Sequence, residues 1–262
     1  GEKVALALEQ SGKKKLPVIA VVTSGGARIQ EGVLSLMQMA KTSITASQLN
    51  DKGLPFISVL ANPATGQAYA SFANLADIIL AEPGAIVGFS PLRDMKETSR
   101  QPLPSESHTA ESHLEHGMLD AVVERPHLKE LLAVLLDLLG PQYRLTLRNK
   151  TTRPKAEAQR QQAWSSVQLA RHESRPSSID YITRIFSNFV ELHGDRSFGD
   201  DPAVICGLAH LGGQTVMVVG QERGRGDEAG DRHEGRTSPE GFGKARRTLR
   251  LAAKFDVPLV TL

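Results

Sequence analysis

The chain has 262 residues, of which 40% are hydrophobic and 23% charged, so it is too apolar to be an intrinsically disordered segment. Basic residues number 31 against 29 acidic ones, and only 5% are aromatic. Neither the field nor the stacking surface of a nucleic-acid binder is present. A single cysteine, Cys206, excludes an intrachain disulfide and a cysteine-built zinc site.

In chain order, a helix-like pattern at Val4–Leu8 comes first. Leu16-Pro17 then leads into the aliphatic run Val18–Val22. The same device recurs at Leu54-Pro55 before Phe56–Leu60, and at Val257-Pro258 before Leu259–Leu262. Proline suits the first position of a strand, where its missing N–H costs nothing. Uninterrupted aliphatic runs suit parallel strands buried on both faces. Helical patterns between them, over roughly 30–50, 69–75 and 239–254, make right-handed βαβ units.

Further strands are predicted at 77–81, 85–89 and 119–124, with a helix over 109–116 ending at Gly117. A strongly apolar helix over 126–139 stops at Gly140-Pro141. Residues 141–163 are polar and basic, and read as a linker between a domain at 1–140 and a second at 164–262. Beyond it, Ile179, Ile182, Ile185, Phe186 and Phe189 fall on one helical face. Runs at 203–211 and 214–220 flank Gly212-Gly213 as a hairpin. The glycine-rich, charged stretch 223–238 reads as a mobile surface loop.

The chain opens inside a helical pattern without an initiator methionine and stops inside a strand, so both ends read as cut from something longer. No signal peptide is visible, and no apolar run approaches the roughly 18 residues of a membrane span. A cytoplasmic protein with neither membrane nor nucleic acid as partner is expected.

The chemistry-bearing motif is Thr23–Arg28. Gly25 and Gly26 sit where the first buried strand gives way to a helix, so backbone N–H groups, with Ala27 behind them, can face a ligand. Such fixed donors suit a thioester oxygen turning into an enolate. The turn Pro63–Gln67, with Gly66, repeats the design after the second strand. The two turns should meet at the carboxyl ends of adjacent parallel strands, where α/β folds keep ligands.

Other signals are weaker. Gly224–Ala229 fits a loose dinucleotide fingerprint, but no helix follows it. His108, His113 and His116 read as a solvated helix face rather than a metal site. His193 reads as helix-end chemistry. No Ser/His/Asp set and no carboxylate pair stand out, so chemistry would run on backbone donors.

These residues resemble a known family. Ser24–Gly32, Leu36–Thr42, Gly53–Leu60, Ala70–Ala73 and Ala81–Pro83 resemble the carboxyltransferase beta subunit of bacterial-type acetyl-CoA carboxylase, over the start of the chain to about Leu139. Trp164, Val167–His172, Arg175-Pro176, Asp180-Tyr181, Gly194–Phe198, Asp200-Asp201, Val216-Met217 and Pro239–Phe242 resemble the start of its alpha subunit. A fused beta–alpha chain is the reading.

The resemblance implies an α/β, crotonase-like fold of repeated ββα units, followed by a second, partial domain of the same kind. It implies carboxyl transfer from carboxybiotin, carried on a separate protein, to acetyl-CoA, giving malonyl-CoA for fatty-acid synthesis. It implies a biotin carboxyl carrier protein and a biotin carboxylase as partners, and self-association. It assigns Gly25, Gly26 and Ala27 to the thioester oxygen. Ser24, Arg28, Gly66, Gln67, Gly88 and Phe89 fall to the CoA or biotin side. In this family biotin is thought to take the substrate proton itself.

The chain departs from the pattern in five ways, one being that the alpha-type basic loop has become glycine-rich and acidic. The family's four-cysteine zinc ribbon is missing, so no zinc is expected in this chain. Gln67 stands where a second glycine is usual. Ser90-Pro91-Leu92 replaces a small residue, glycine and proline. The alpha-type second glycine hole, which would hold biotin, is expected beyond Leu262. Two other readings keep their place: a crotonase-fold hydratase, hydrolase or decarboxylase using Glu31 or Glu82, and a catalytically incomplete assembly module.

Overall fold

The computed structural model describes residues 1–90, 107–140, 163–172 and 174–262. Most of the expected linker, together with Pro91 and Leu92, lies outside the described residues.

The first half is built on a parallel sheet. Helix α1 (Glu2–Lys14) leads into β1 (Val18–Gly25), and α2 (Val33–Asp51) into β2 (Phe56–Thr65). A single helical turn, α3 (Gln67–Ala70), follows, then β3 (Ile78–Ala81) and β4 (Val87–Gly88). Helix α4 (Ala110–Glu115), β5 (Ala121–Val122) and α5 (Arg125–Leu138) complete the half. The sheet order is β1-β2-β3-β5, with β4 pairing the far end of β2, and every pairing is parallel. The prolines sit just ahead of β1 and β2 as expected, and the Pro55 carbonyl accepts the Val18 N–H.

The second half is an antiparallel hairpin with helices. After α6 (Ala163–Ala170) and α7 (Ser178–Ile185) come β6 (Ser187–Glu191), β7 (Val204–Leu211) and β8 (Gln214–Gln221). A short α8 (Glu228–Asp231), the long α9 (Pro239–Lys254) and β9 (Leu259–Thr261) follow. β6, β7 and β8 pair antiparallel, and β9 joins β8 in parallel. Gly212 (φ 58°) and Gly213 (φ 82°) both take the left-handed backbone that a tight two-residue hairpin requires.

Several local expectations change. β1 is not buried on both faces: Val18, Ala20 and Val22 pack on the core, while Val21 is 69% exposed. Among the described residues β1 pairs only with β2, so it is an edge strand with one uncovered face. The helix expected over 69–75 is one turn plus a 3-10 turn at Ala73–Leu75. Phe189 lies on β6, because the helix ends at Ile185. The 223–238 stretch is tied down. Arg223 Nη2 donates to the His172 carbonyl at 2.9 Å, and Arg232 Nη1 to the Pro202 carbonyl at 2.7 Å.

The two halves share a core. On β2, alternate residues Phe56 and Leu60 face α1 and α2, whereas Ile57 and Val59 face the other way. There they join Ile78 and Leu80 of β3, Leu135 and Leu138 of α5, Leu208 and Met217 of the hairpin, and Leu251 of α9. Burying one such side chain is worth roughly 1.5–3 kcal/mol, so this cluster supplies most of the adhesion between halves.

Polar contacts set how the halves meet. Asp120, 1% exposed, accepts the Ile79 N–H at 2.8 Å and is ion-paired with both Arg196 and Arg247 of the second half. Lys254 pairs with Asp77 at 2.6 Å. The backbones touch at Gly117 (φ 68°) and Gly194 (φ 79°): a side chain on Gly194 would collide with the Gly117 main chain, and one on Gly117 with the Gly199 carbonyl. Behind them, fully buried Lys244 pairs with Asp200 at 2.8 Å. Asp200 also accepts from the His193 ring at 2.9 Å and the Gly194 N–H at 2.8 Å. His193 therefore follows a strand, β6, and orients a carboxylate. It is not at a helix end.

Burial alone would raise the Asp120 carboxyl, but the Arg196 and Arg247 guanidiniums beside it hold it below the usual carboxylate range. In Asp200 burial is likewise outweighed, by His193 and Lys244, and its carboxyl falls far below that range. Groups with depressed folded-state values stabilise the fold above their unfolded value, about pH 4, and lose that contribution as pH falls. Asp77 has the opposite sign, because its burial outweighs Lys254 and raises it. Urea titrations at stepped pH should show stability dropping below about pH 4. Asp120→Asn should flatten that drop, and an unchanged acid limb would refute the assignment.

Candidate functional site

The glycine turns lie side by side. In the β1–β2 register Gly25 is level with Thr65, and Thr65 Oγ1 donates to the Ser24 carbonyl at 3.1 Å. Gly26 takes φ 115° and Gly66 φ 74°. A Cβ placed on Gly66 would stand 2.6 Å from the Gly26 Cα, so the two turns touch main chain to main chain. The Gly66 N–H donates to the Gly88 carbonyl at 2.9 Å, which fastens the second turn to β4.

Ser24, Gly26, Ala27, Arg28 and Gln67 line one cleft of about 420 Å³, walled by Ser35 and Met39 of α2. The Gly26 N–H donates to Ser24 Oγ at a long 3.2 Å, an ST-turn that shapes the loop. The Ala27 N–H has no acceptor among the described residues. Gln67 Nε2 donates to Ser35 Oγ at 3.3 Å, so its side chain spans the cleft toward α2. Gly25 is exposed, with open space where a Cβ would stand. Gly88 is buried behind Gly66, and Phe89 is 61% exposed and does not line the cleft.

Of the two acidic candidates, Glu31 lines the cleft. Glu82 does not. Arg125 grips it in a bidentate pair at 2.7 and 3.0 Å and lowers its carboxyl. Of the histidines His116 is exposed, as expected, but His113 is less so: it meets Tyr69 edge-on at 5.9 Å between ring centroids, and burial pushes its imidazole pKa down. Among the described residues no group of His, Cys, Asp or Glu could hold a metal ion, and no helix is long and apolar enough to cross a membrane.

Comparison with known proteins fits this geometry. Residues 142–262 match the family described as acetyl co-enzyme A carboxylase carboxyltransferase-like. The carboxyl transferase subunits beta/alpha of acetyl-coenzyme A carboxylase from Clostridium tetani is 42% identical, over 99% of this chain and 46% of that protein. Its counterpart in Salinispora arenicola is 45% identical, over 100% of this chain and 48% of that protein. The chain is similar along nearly its whole length to the beta/alpha carboxyl transferase subunits of acetyl-CoA carboxylase. It spans about half the length of the curated relatives it matches. The hexameric transcarboxylase 12S core, solved with hydrolysed methylmalonyl-coenzyme A, superposes with a TM-score of 0.76 at 23% identity, over 99% of this chain and 49% of that one. The chain thus shares the crotonase-like α/β fold of that core.

The two arginines that meet Asp120 escaped the sequence reading. The available signal was Asp120 itself, a lone acid in the apolar run 119–123, because a buried charge needs a partner.

Proposed function

We propose that this chain is the thioester-binding part of a carboxyltransferase that moves a carboxyl group onto acetyl-CoA, giving malonyl-CoA for fatty-acid synthesis. The observation that carries the reading is the cleft at Gly26 and Gly66, where two strand-end turns of the first half press together. The halves at 1–140 and 164–262 are taken as beta-like and alpha-like parts of one catalytic unit.

The donors of the cleft fit a developing oxyanion. The Ala27 N–H is without an acceptor among the described residues, and the Gly26 N–H can exchange a long bond to Ser24 Oγ for a ligand. Fixed donors of this kind stabilise an enolate without reorganising, each by about 3–4 kcal/mol of barrier. Arg28, exposed at the cleft mouth, is suited to phosphate or carboxylate. Ser24 and Gln67 would orient the thioester arm, with Gly66 and Gly88 as its backing; Phe89 is left to the periphery. Carboxybiotin, held on a separate biotin carboxyl carrier protein loaded by a biotin carboxylase, would supply the carboxyl group and receive the substrate proton. That role fits a cleft whose walls offer one carboxylate, Glu31, and no histidine. Self-association and a cytoplasmic setting belong to the same proposal.

The test is decarboxylation of malonyl-CoA by the full-length protein with free biotin or biotinylated carrier. Biotin-dependent turnover is expected; none above blank overturns the reading. Glu31 in the cleft is the one observation favouring a hydratase, hydrolase or decarboxylase, and biotin-independent turnover lost in Glu31→Gln would establish that alternative.

A further inference from the structure

One contact between the halves leads, through a series of neighbours, toward the second glycine turn: that of Arg196 with Gly117 and Asp120. Arg196 has φ 62°, a left-handed backbone that side chains rarely adopt. Its own N–H donates to the Gly117 carbonyl at 3.1 Å, and its Nη1 reaches the same carbonyl at 3.3 Å. Its Nη2 pairs with Asp120. Gly117 ends the segment of α4, and α4 carries His113, whose ring meets Tyr69 edge-on. Tyr69 is 6% exposed, and its hydroxyl has no hydrogen-bond partner among the described residues. Tyr69 lies on α3, the turn whose first hydrogen bond, Ala70 N–H to the Gly66 carbonyl at 3.0 Å, begins at the second glycine turn. Gly66 in turn presses on Gly26.

We propose that Arg196, carried by the second half, is a positioning residue for the glycine cleft of the first, acting through Gly117, His113 and Tyr69 on the Gly66 turn. The contact series is continuous and every member is buried or backbone-anchored, so a loosened Arg196 has a defined place to be felt. Its catalytic consequence rests on the carboxyltransferase reading; its structural consequence does not.

The test uses the full-length protein and two readouts. Arg196→Lys keeps the charge on Asp120 and the backbone N–H on Gly117, but loses the guanidinium fork that reaches Asp120 and the Gly117 carbonyl at once. Amide exchange over residues 64–72 is expected to rise about tenfold in this variant, with the β7–β8 hairpin unchanged. Malonyl-CoA decarboxylation should lose about tenfold in kcat with KM within about twofold. His113→Ala breaks the series inside the first half while sparing the Asp120 pair, and should raise the same local exchange, whether or not Arg196→Lys folds. Arg125→Ala, on a surface pair, should leave it unchanged. Unchanged exchange at 64–72 in His113→Ala, or an equal rise throughout the hairpin in Arg196→Lys, overturns the inference. A wild-type protein without transferase activity would sink the proposed reaction and leave the exchange result to decide this one.

Discussion

Asp120→Ala is expected to cost about 3–5 kcal/mol of folding stability. The carboxylate is 1% exposed, and two guanidiniums with side-chain exposures of 17% and 13% converge on it. Removing it leaves both arginines facing each other and the Ile79 N–H without its acceptor. Domains of this size are stable by about 5–15 kcal/mol, so the loss would take a large share of the total. The pair is not thereby a strong source of adhesion. A buried ion pair roughly breaks even against its desolvation, and the apolar cluster around Ile57, Leu80, Leu135 and Leu208 holds the halves together. What the ion group adds is one permitted arrangement of the halves. Urea unfolding of Asp120→Ala and of Asp120→Leu/Arg196→Met/Arg247→Leu separates the two roles. The triple variant should recover most of the stability lost in the single one. A single variant within about 1 kcal/mol of wild type would show that the arginines find water instead.

The parts of the fold that the sequence announced are those built from short-range signals. Proline ahead of an aliphatic run marked β1, β2 and β9, and Gly212-Gly213 marked the hairpin. The strand-end glycines drew attention to both turns, because main chain at such positions is shaped by local residues. What was not legible depends on residues far apart in the chain. Asp120 meets Arg196 across 76 positions and Arg247 across 127, and no periodicity links them. His193 looked like a helix-end residue because it precedes a glycine. Its partner Asp200, itself paired with Lys244 of α9, is brought to it only by the folded chain. The one-turn length of α3 also escaped notice, since the apolar residues from Tyr69 to Leu75 fit a helix locally while the parallel ladder starts β3 at Ile78.

Gly66→Ala is expected to lower biotin-dependent malonyl-CoA decarboxylation at least about a hundredfold, since displaced donors lose that much of their effect. A methyl at this position would stand 2.6 Å from the Gly26 Cα, and at φ 74° alanine is strained even without the collision. The main chain must shift, and the part that shifts is the turn bearing the Gly26 and Ala27 N–H groups. Gly25→Ala makes the informative contrast. Its Cβ meets nothing within 4 Å and its backbone is not left-handed, so the fold should tolerate it with little change in melting temperature. If the thioester lies against this turn, the added methyl occupies its space, and activity falls while stability stands. Full activity in Gly25→Ala beside a stable fold would remove Gly25 from the site. Full activity in a folded Gly66→Ala would break the link between the paired turns and the chemistry.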